Sequence, residues 1–252
     1  MSRFVINARG VDQRDLNGRV RAAAEAGNEA VVLRNVHGQR YIGTSLRKPV
    51  KVDVYGTPGN DLGAFMDGPT IEVHGNAQDG LGNTMNSGEI IVHGGAGDVL
   101  AMSMRGGRVF VEGNVGYRCA IHLKEYGSKV PVIVIGGTAQ DFFGEYMAGG
   151  RVVLLGLGGD GLAANFIGTG MHGGAIFIRG RVDPEQLGKE VGVAEPDEAD
   201  QAFLAGVIED YRRRFGRGRG AGRGRGAGQI PTEGFVKLYP RFLRPYGRLY
   251  AQ

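Results

Sequence analysis

One short pattern is written seven times between residues 50 and 180. Each copy is an aliphatic run that ends in glycine: Val52-Asp-Val54-Tyr-Gly56, Ile71-Glu-Val73-His-Gly75, Ile90-Ile-Val92-His-Gly94, Val109-Phe-Val111-Glu-Gly113, Val132-Ile-Val134-Ile-Gly136, Val152-Val-Leu154-Leu-Gly156 and Ile176-Phe-Ile178-Arg-Gly180. The glycine-to-glycine steps are 19, 19, 19, 23, 20 and 24 residues. A near-constant period of this size outranks other sequence signals, because each repeat is one structural unit that cannot bury its apolar face alone.

Two and four residues before each closing glycine the side chain is Val, Ile or Leu. That alternation has period two and predicts a short strand with one buried face. Stacking the strands in parallel, about 4.8 Å apart, buries that face continuously. Each copy also has a second half. After Gly75 come Asp79, Leu81, Gly82, Met85 and Gly88; after Gly56 come Asp61, Leu62, Gly63, Met66 and Gly68. Asp98, Leu100, Ala101, Met104 and Gly107 follow Gly94, while Cys119, Ala120 and Leu123 keep the pattern loosely in the fourth copy. The fifth copy, with Asp141, Phe142, Gly144, Met147 and Gly150, reads as carrying one extra residue. The predicted fold is therefore all-β, a right-handed parallel β-helix (solenoid) of about seven coils. Four strands per repeat would need a longer period, which excludes a propeller, and the leucine and asparagine spacing of a leucine-rich repeat is missing.

The flanks predict closing elements. Residues 3–8 read as a strand, Asp12 as the cap of a helix with Leu16, Val20 and Ala24 on one face, Gly27 as its stop, and 29–36 as a second strand. This αβ segment is expected to cap the first coil. Beyond the repeats, Asp183-Pro184 predicts a short helical turn. Pro196-Asp197-Glu198 predicts the opening of a longer helix, with the proline at its first position and Gly216 at its end. Phe203, Val207, Tyr211 and Phe215, with Leu204 and Ile208, make that helix amphipathic. Residues 216–228 alternate Gly, Arg and Ala and predict a solvated linker. The aromatics Phe235, Tyr239, Phe242, Tyr246 and Tyr250 predict a docked tail. Three stretches result: 1–49 as an N-terminal αβ cap, 50–182 as the β-helix, and 183–252 as helix, Gly-Arg loop and tail.

Composition closes off several functions. Glycine takes 47 of 252 positions without a Gly-X-Y period, so collagen is excluded and the repeat accounts for most of the excess. One cysteine rules out an intrachain disulfide and a thiolate metal cage. No signal run or long apolar span appears, so the expectation is a cytoplasmic protein with no membrane partner. The Gly156-Leu-Gly158-Gly-Asp-Gly161 string fits a dinucleotide-binding pattern, but Gly156 is a repeat glycine and no crossover helix follows it. Cys119 stands in the slot of Leu62, Leu81, Leu100 and Phe142, which predicts a buried core residue rather than a nucleophile. His74 and His93 precede successive repeat glycines and should be outward neighbours. Tyr55 and Glu112 flank them, which supplies no evident third metal ligand. Asp61, Asp79, Asp98, Asp141 and Asp160 recur at turns, where aspartate bonds its own backbone; calcium would need a nonapeptide spacing that is absent. The Gly-Arg loop lacks the aromatics that would stack on bases, so nucleic acid is not the expected partner. No catalytic, cofactor-binding or metal residue is assigned.

Long stretches also resemble a known family. Residues 54–68, 73–80, 83–88, 136–150 and 168–174, and the tail around Arg244-Pro-Tyr-Gly247, are similar to the glycine-repeat (GXGXG) domain that ends the large subunit of glutamate synthase, in its stand-alone form. The resemblance implies a right-handed β-helix without a catalytic or cofactor residue of its own. It implies partner subunits: a glutaminase with an N-terminal cysteine, and a synthase carrying FMN and an iron–sulfur cluster. These together transfer the amide nitrogen of glutamine to 2-oxoglutarate, giving glutamate. Related domains occur in N-methylglutamate synthase and formylmethanofuran dehydrogenase, so those assemblies stay open. So do a free-standing RNA-binding protein using the Gly-Arg loop, and self-association. A stand-alone hydrolase finds no site in the sequence.

One outer face carries a further expectation. Three residues before the closing glycines the series runs Asp53, Glu72, Ile91, Phe110, Ile133, Val153, Phe177, turning from acidic to apolar. Ile135 and Leu155 add to it. So long an apolar stripe needs a cover, either the helix of Phe203 to Phe215 or a partner subunit.

Overall fold

The computed structural model describes residues 2–157, 164–216 and 230–241. Its described strands form one sheet in the order β1-β2-β3-β4-β5-β6-β7-β8-β9-β11-β10. β1 (Arg3–Asn7) and β2 (Ala30–His37) pair in parallel across the helix α1 (Gln13–Glu25). The repeat strands follow: β3 (Lys51–Thr57), β4 (Asp67–His74), β5 (Ser87–Val92), β6 (Arg108–Val111), β7 (Val132–Ile135), β8 (Ala148–Leu154) and β9 (Gly173–Arg179). Each pairs in parallel with the next. The molecule is a parallel β-solenoid, as the repeat predicts.

Four main rows of large side chains line its interior, and a smaller fifth row of Ala77, Val115 and Ala139 stands two residues after the repeat glycines. Two come from the strands, as in Val52, Ile71, Ile90 and Val109, all fully buried. Two come from the turns: the row of Ile42, Leu62, Leu81, Leu100, Cys119, Phe143 and Ile167, and the row of Leu46, Met66, Met85, Met104, Leu123, Met147 and Met171. Burying each such side chain contributes about 1.5–3 kcal/mol, which is the main source of stability in a coil.

The turns form ladders of their own. Asp61 donates its N–H to the Asp79 carbonyl in the next coil (2.9 Å), Gly63 to Ile42 in the previous one (2.8 Å), and Phe65 again forward to Asn83 (2.9 Å). Left-handed residues at every second position produce this alternation: Asp61, Gly63 and Phe65 have φ of 62°, 68° and 58°. A left-handed non-glycine residue costs roughly 1–2 kcal/mol. Here the ladder bonds and the buried Leu62 offset that cost.

The structure corrects the register of the fifth copy. Val109 lies opposite Ile133, and Ile133 opposite Val152. Ile133 and Ile135 therefore point inward, Val134 takes the outward place given to Ile133, and Gly137 is the repeat glycine. The steps become 24 and 19 in place of 23 and 20, and the extra residue disappears. In the same coil the buried slot belongs to Phe143; Phe142 is left-handed (φ 63°) and turned out.

The ends close differently. Asp12 caps α1 by accepting from Arg14 and Asp15, and Leu16, Val20, Ala23 and Ala24 face the core. At the other end, after a 3-10 turn at Pro184–Gln186, β10 (Val191–Ala194) and β11 (Phe235–Pro240) join the sheet antiparallel. Phe235 is buried there, as the docked tail requires, but neither strand was anticipated. Helix α2 (Glu198–Phe215) is capped by Asp197 in a reciprocal box with Asp200. Pro196 thus precedes the cap rather than opening the helix. Residues 217–229 and 242–252, with most of the Gly-Arg loop and Tyr246 and Tyr250, lie outside the described residues.

Candidate functional site

The outer face of the sheet divides into two zones. On β5–β9 the row of Ile91, Phe110, Val134, Val153 and Phe177 is buried under α2, which packs Leu204, Val207, Ile208, Tyr211 and Phe215 against it. The chain's own helix is the cover of the apolar stripe. Ion pairs fix its azimuth: Arg108 with Asp210, and Arg214 with Glu89. The Tyr211 hydroxyl donates to the Glu112 carbonyl (3.2 Å), and burial raises its pKa, so it stays a neutral donor.

On β3–β5 the same face is polar. Lys51 Nζ lies 2.7 Å from Glu72 and 3.2 Å from Asp53. His93 Nε2 lies 2.8 Å from Glu72 Oε1, and His74 Nε2 lies 3.2 Å from Asp53 Oδ1. The rings stack as a column: Tyr55 on His74 with centroids 4.2 Å apart, His74 on His93 at 5.3 Å, and His93 edge-on to Phe215 at 5.2 Å. The histidines are outward neighbours, as their spacing predicts. The third candidate ligand is Glu72, however, and not Tyr55 or Glu112; its carboxylate, with both imidazoles, falls within one 4.8 Å cluster. The parallel register makes this visible: Glu72 and His74 lie on one face two residues apart, a strand spacing from His93. The hydrogen bond to His93 and the Lys51 charge hold the Glu72 carboxyl down to about 2. Burial alone would raise Asp53, but His74 and Lys51 outweigh it and lower it.

A third zone runs along the turns. Arg118 lies over the Phe142 ring (4.5 Å), and Phe142 stacks on Phe166 (5.0 Å). Four residues on in each turn, His122 stacks on Tyr146 (5.3 Å). Phe166 and Tyr146 are 54% and 46% exposed, so these two rows form an open aromatic strip.

The remaining candidates are structural. Cys119 is fully buried and burial pushes its thiol upward, away from the thiolate a nucleophile needs. Three turn aspartates bond the next coil rather than their own backbone: Asp79 accepts from Asp98 N–H (3.0 Å), Asp98 from Tyr117 (2.9 Å) and Asp141 from Asn165 (2.8 Å), while Asp61 accepts from Arg40 of the preceding coil (3.5 Å). Asp160, Gly158 and Gly161 lie outside the described residues. No helix among the described residues is long and apolar enough to cross a membrane.

Coils that close on glycine, stacked into one parallel sheet with an outer helix across it, define a class of glycine-repeat β-solenoids. A family model described as the GXGXG motif matches residues 27–222, and the chain belongs to that family, the type of the C-terminal domain of the glutamate synthase large subunit. It is also 43% identical over 259 residues to the uncharacterized protein MJ1350 of Methanocaldococcus jannaschii, with 100% of this chain and 97% of that protein covered.

Proposed function

We propose that the chain is a non-catalytic structural subunit of a glutamate synthase-type complex. It would hold a glutaminase subunit and a synthase subunit together, with FMN and an iron–sulfur cluster carried by the synthase. The observation that carries this reading is the family match over residues 27–222. Two features of the fold support it. The interior is filled by side chains, and the outer sheet face on β5–β9 is taken by α2, which leaves the aromatic strip of Phe142, Phe166, His122 and Tyr146 as docking surface. Exposed stacked aromatics of this kind are typical anchors of protein interfaces.

The experiment co-expresses the chain with its candidate partner subunits. Glutamine-dependent conversion of 2-oxoglutarate to glutamate is then measured with and without it. The lone chain is expected to be inert and free of flavin, to co-purify with both partners, and to be required for coupled turnover. Turnover or stoichiometric flavin in the lone chain would overturn the proposal. A complex that forms but aminates a different acceptor would move it to another assembly of the same family.

A further inference from the structure

The polar zone on β3–β5 has no part in the scaffold reading, and its residue types are those of a metal centre. We propose that Glu72, His74 and His93, together with Asp53, bind a divalent cation of the zinc class. Two imidazoles and two carboxylates are a donor set that suits zinc, which takes four such ligands at about 2.0–2.2 Å in a tetrahedron. That geometry places neighbouring ligand atoms roughly 3.3–3.6 Å apart. His74 Nε2 and Asp53 Oδ1 are already 3.2 Å apart, and His93 Nε2 and Glu72 Oε1 2.8 Å. The ligand atoms of Glu72, His74 and His93 all fall within 4.8 Å of one another, so closing those three shortens their longest separation by at most about 1.5 Å, and Asp53 joins them through its contact with His74.

The supports are rigid. Asp53, Glu72 and His74 stand on adjacent strands locked in register, and His93 follows β5 directly with its N–H bonded to the Val73 carbonyl (2.9 Å). Stacking between Tyr55 and His93 fixes the His74 ring, and Phe215 at the end of α2 fixes that of His93. All four side chains are half-buried, at 13–27% exposure, which leaves an entry path from solvent.

Lys51 is the cation there now. Its ammonium touches both carboxylates, yet its side chain is 46% exposed and can swing into solvent. Lysine and metal therefore compete for the same charge, so removing the lysine strengthens metal binding. Held by four protein ligands, the ion would staple three coils together rather than activate water.

The test titrates zinc(II) into chelator-stripped protein by calorimetry at neutral pH, with thermal melts of the same samples. One site is expected, with a rise in Tm. His74→Ala and His93→Ala should each weaken it at least about tenfold, and Lys51→Met should tighten it. His37→Ala, on β2, should leave it unchanged. Because a histidine variant can lose fold as well as ligand, X-ray absorption of the zinc-loaded parent provides a second reading, with two imidazoles expected in the first shell. Zinc binding that is absent from the parent, indifferent to His74 and His93, or unimproved by Lys51→Met overturns the proposal. So does a first shell without imidazole.

Discussion

A Cβ added to Gly136 would stand 2.0 Å from the Tyr211 hydroxyl oxygen and 2.2 Å from the Glu112 carbonyl oxygen. Gly136 is therefore glycine because α2 rests on it, while Gly137 beside it closes the coil. The Gly136-Gly137 doublet is why the sequence misleads at this point: either glycine ends an alternating run, since Val132, Ile133, Val134 and Ile135 are apolar in both parities. Alternation specifies register only where one face is wet; here both faces are covered. Gly136→Ala should cost about 1–3 kcal/mol in urea unfolding, since the backbone and a fixed ring must give way. Gly18→Ala, inside α1 with nothing within 4 Å of the new methyl, should instead stabilise by up to about 1 kcal/mol. Shifts of the same sign in both variants would defeat the argument. The third cluster ligand was hidden for a related reason: Glu72 is separated from His93 by 21 residues and meets it only through the ladder.

Helix α2 was legible in its stripe and its end, because amphipathic spacing is local, but its cap, Asp197, lies two residues later than a proline in the first helical position implies. Strands β10 and β11 were not, because Val191-Gly-Val193-Ala194 is too short to show a period and pairs with residues more than forty positions away. What α2 covers can be tested at Val134, which is fully buried beneath it. Val134→Asp should lose about 3 kcal/mol or more, as a charge buried without a partner. Phe110 is a poorer probe, since Arg108 and Arg214 lie over its ring and would pair with a new carboxylate. A Val134→Asp protein as stable as the parent would show that α2 does not seal the face. The ion pair beside it adds a pH dependence. Burial would raise the Asp210 carboxyl, but hydrogen bonds from Arg108 and Arg213 and the Arg214 charge hold it below 3.8. A depressed folded pKa contributes stability present above the unfolded value and lost as pH falls through the folded one. Asp210→Asn should accordingly be less stable than the parent at pH 7, and the gap should narrow as pH drops below about 4. A gap that stays constant down to pH 2.5 would rule out the pair as its source.

At the scale of the molecule, repetition made the fold readable: seven copies of one strand admit little besides a stack. Repetition alone would make that stack quasi-one-dimensional, with each coil held only by its neighbours. Helix α2 breaks that rule. Its Phe203 meets Phe177 on β9 and its Phe215 meets His93 just after β5. The twelve helical steps from Phe203 to Phe215 rise about 18 Å, and the four strand spacings from β9 to β5 span about 19 Å. The helix therefore lies across the strands as a strap that ties five coils, while β1–β4 lie beyond its reach. Native-state hydrogen exchange should show this as two cooperative units. Amides of β5–β9 are expected to open together at the higher free energy, and those of β1–β4 separately at a lower one. Leu204→Ala, which empties a fully buried site under the strap, should lower protection across all of β5–β9 by about 2–5 kcal/mol and leave β1–β3 nearly unchanged. Exchange that falls equally from β1 to β9 in that variant would mean the stack opens as a single unit, and that the strap only covers the coils without coupling them.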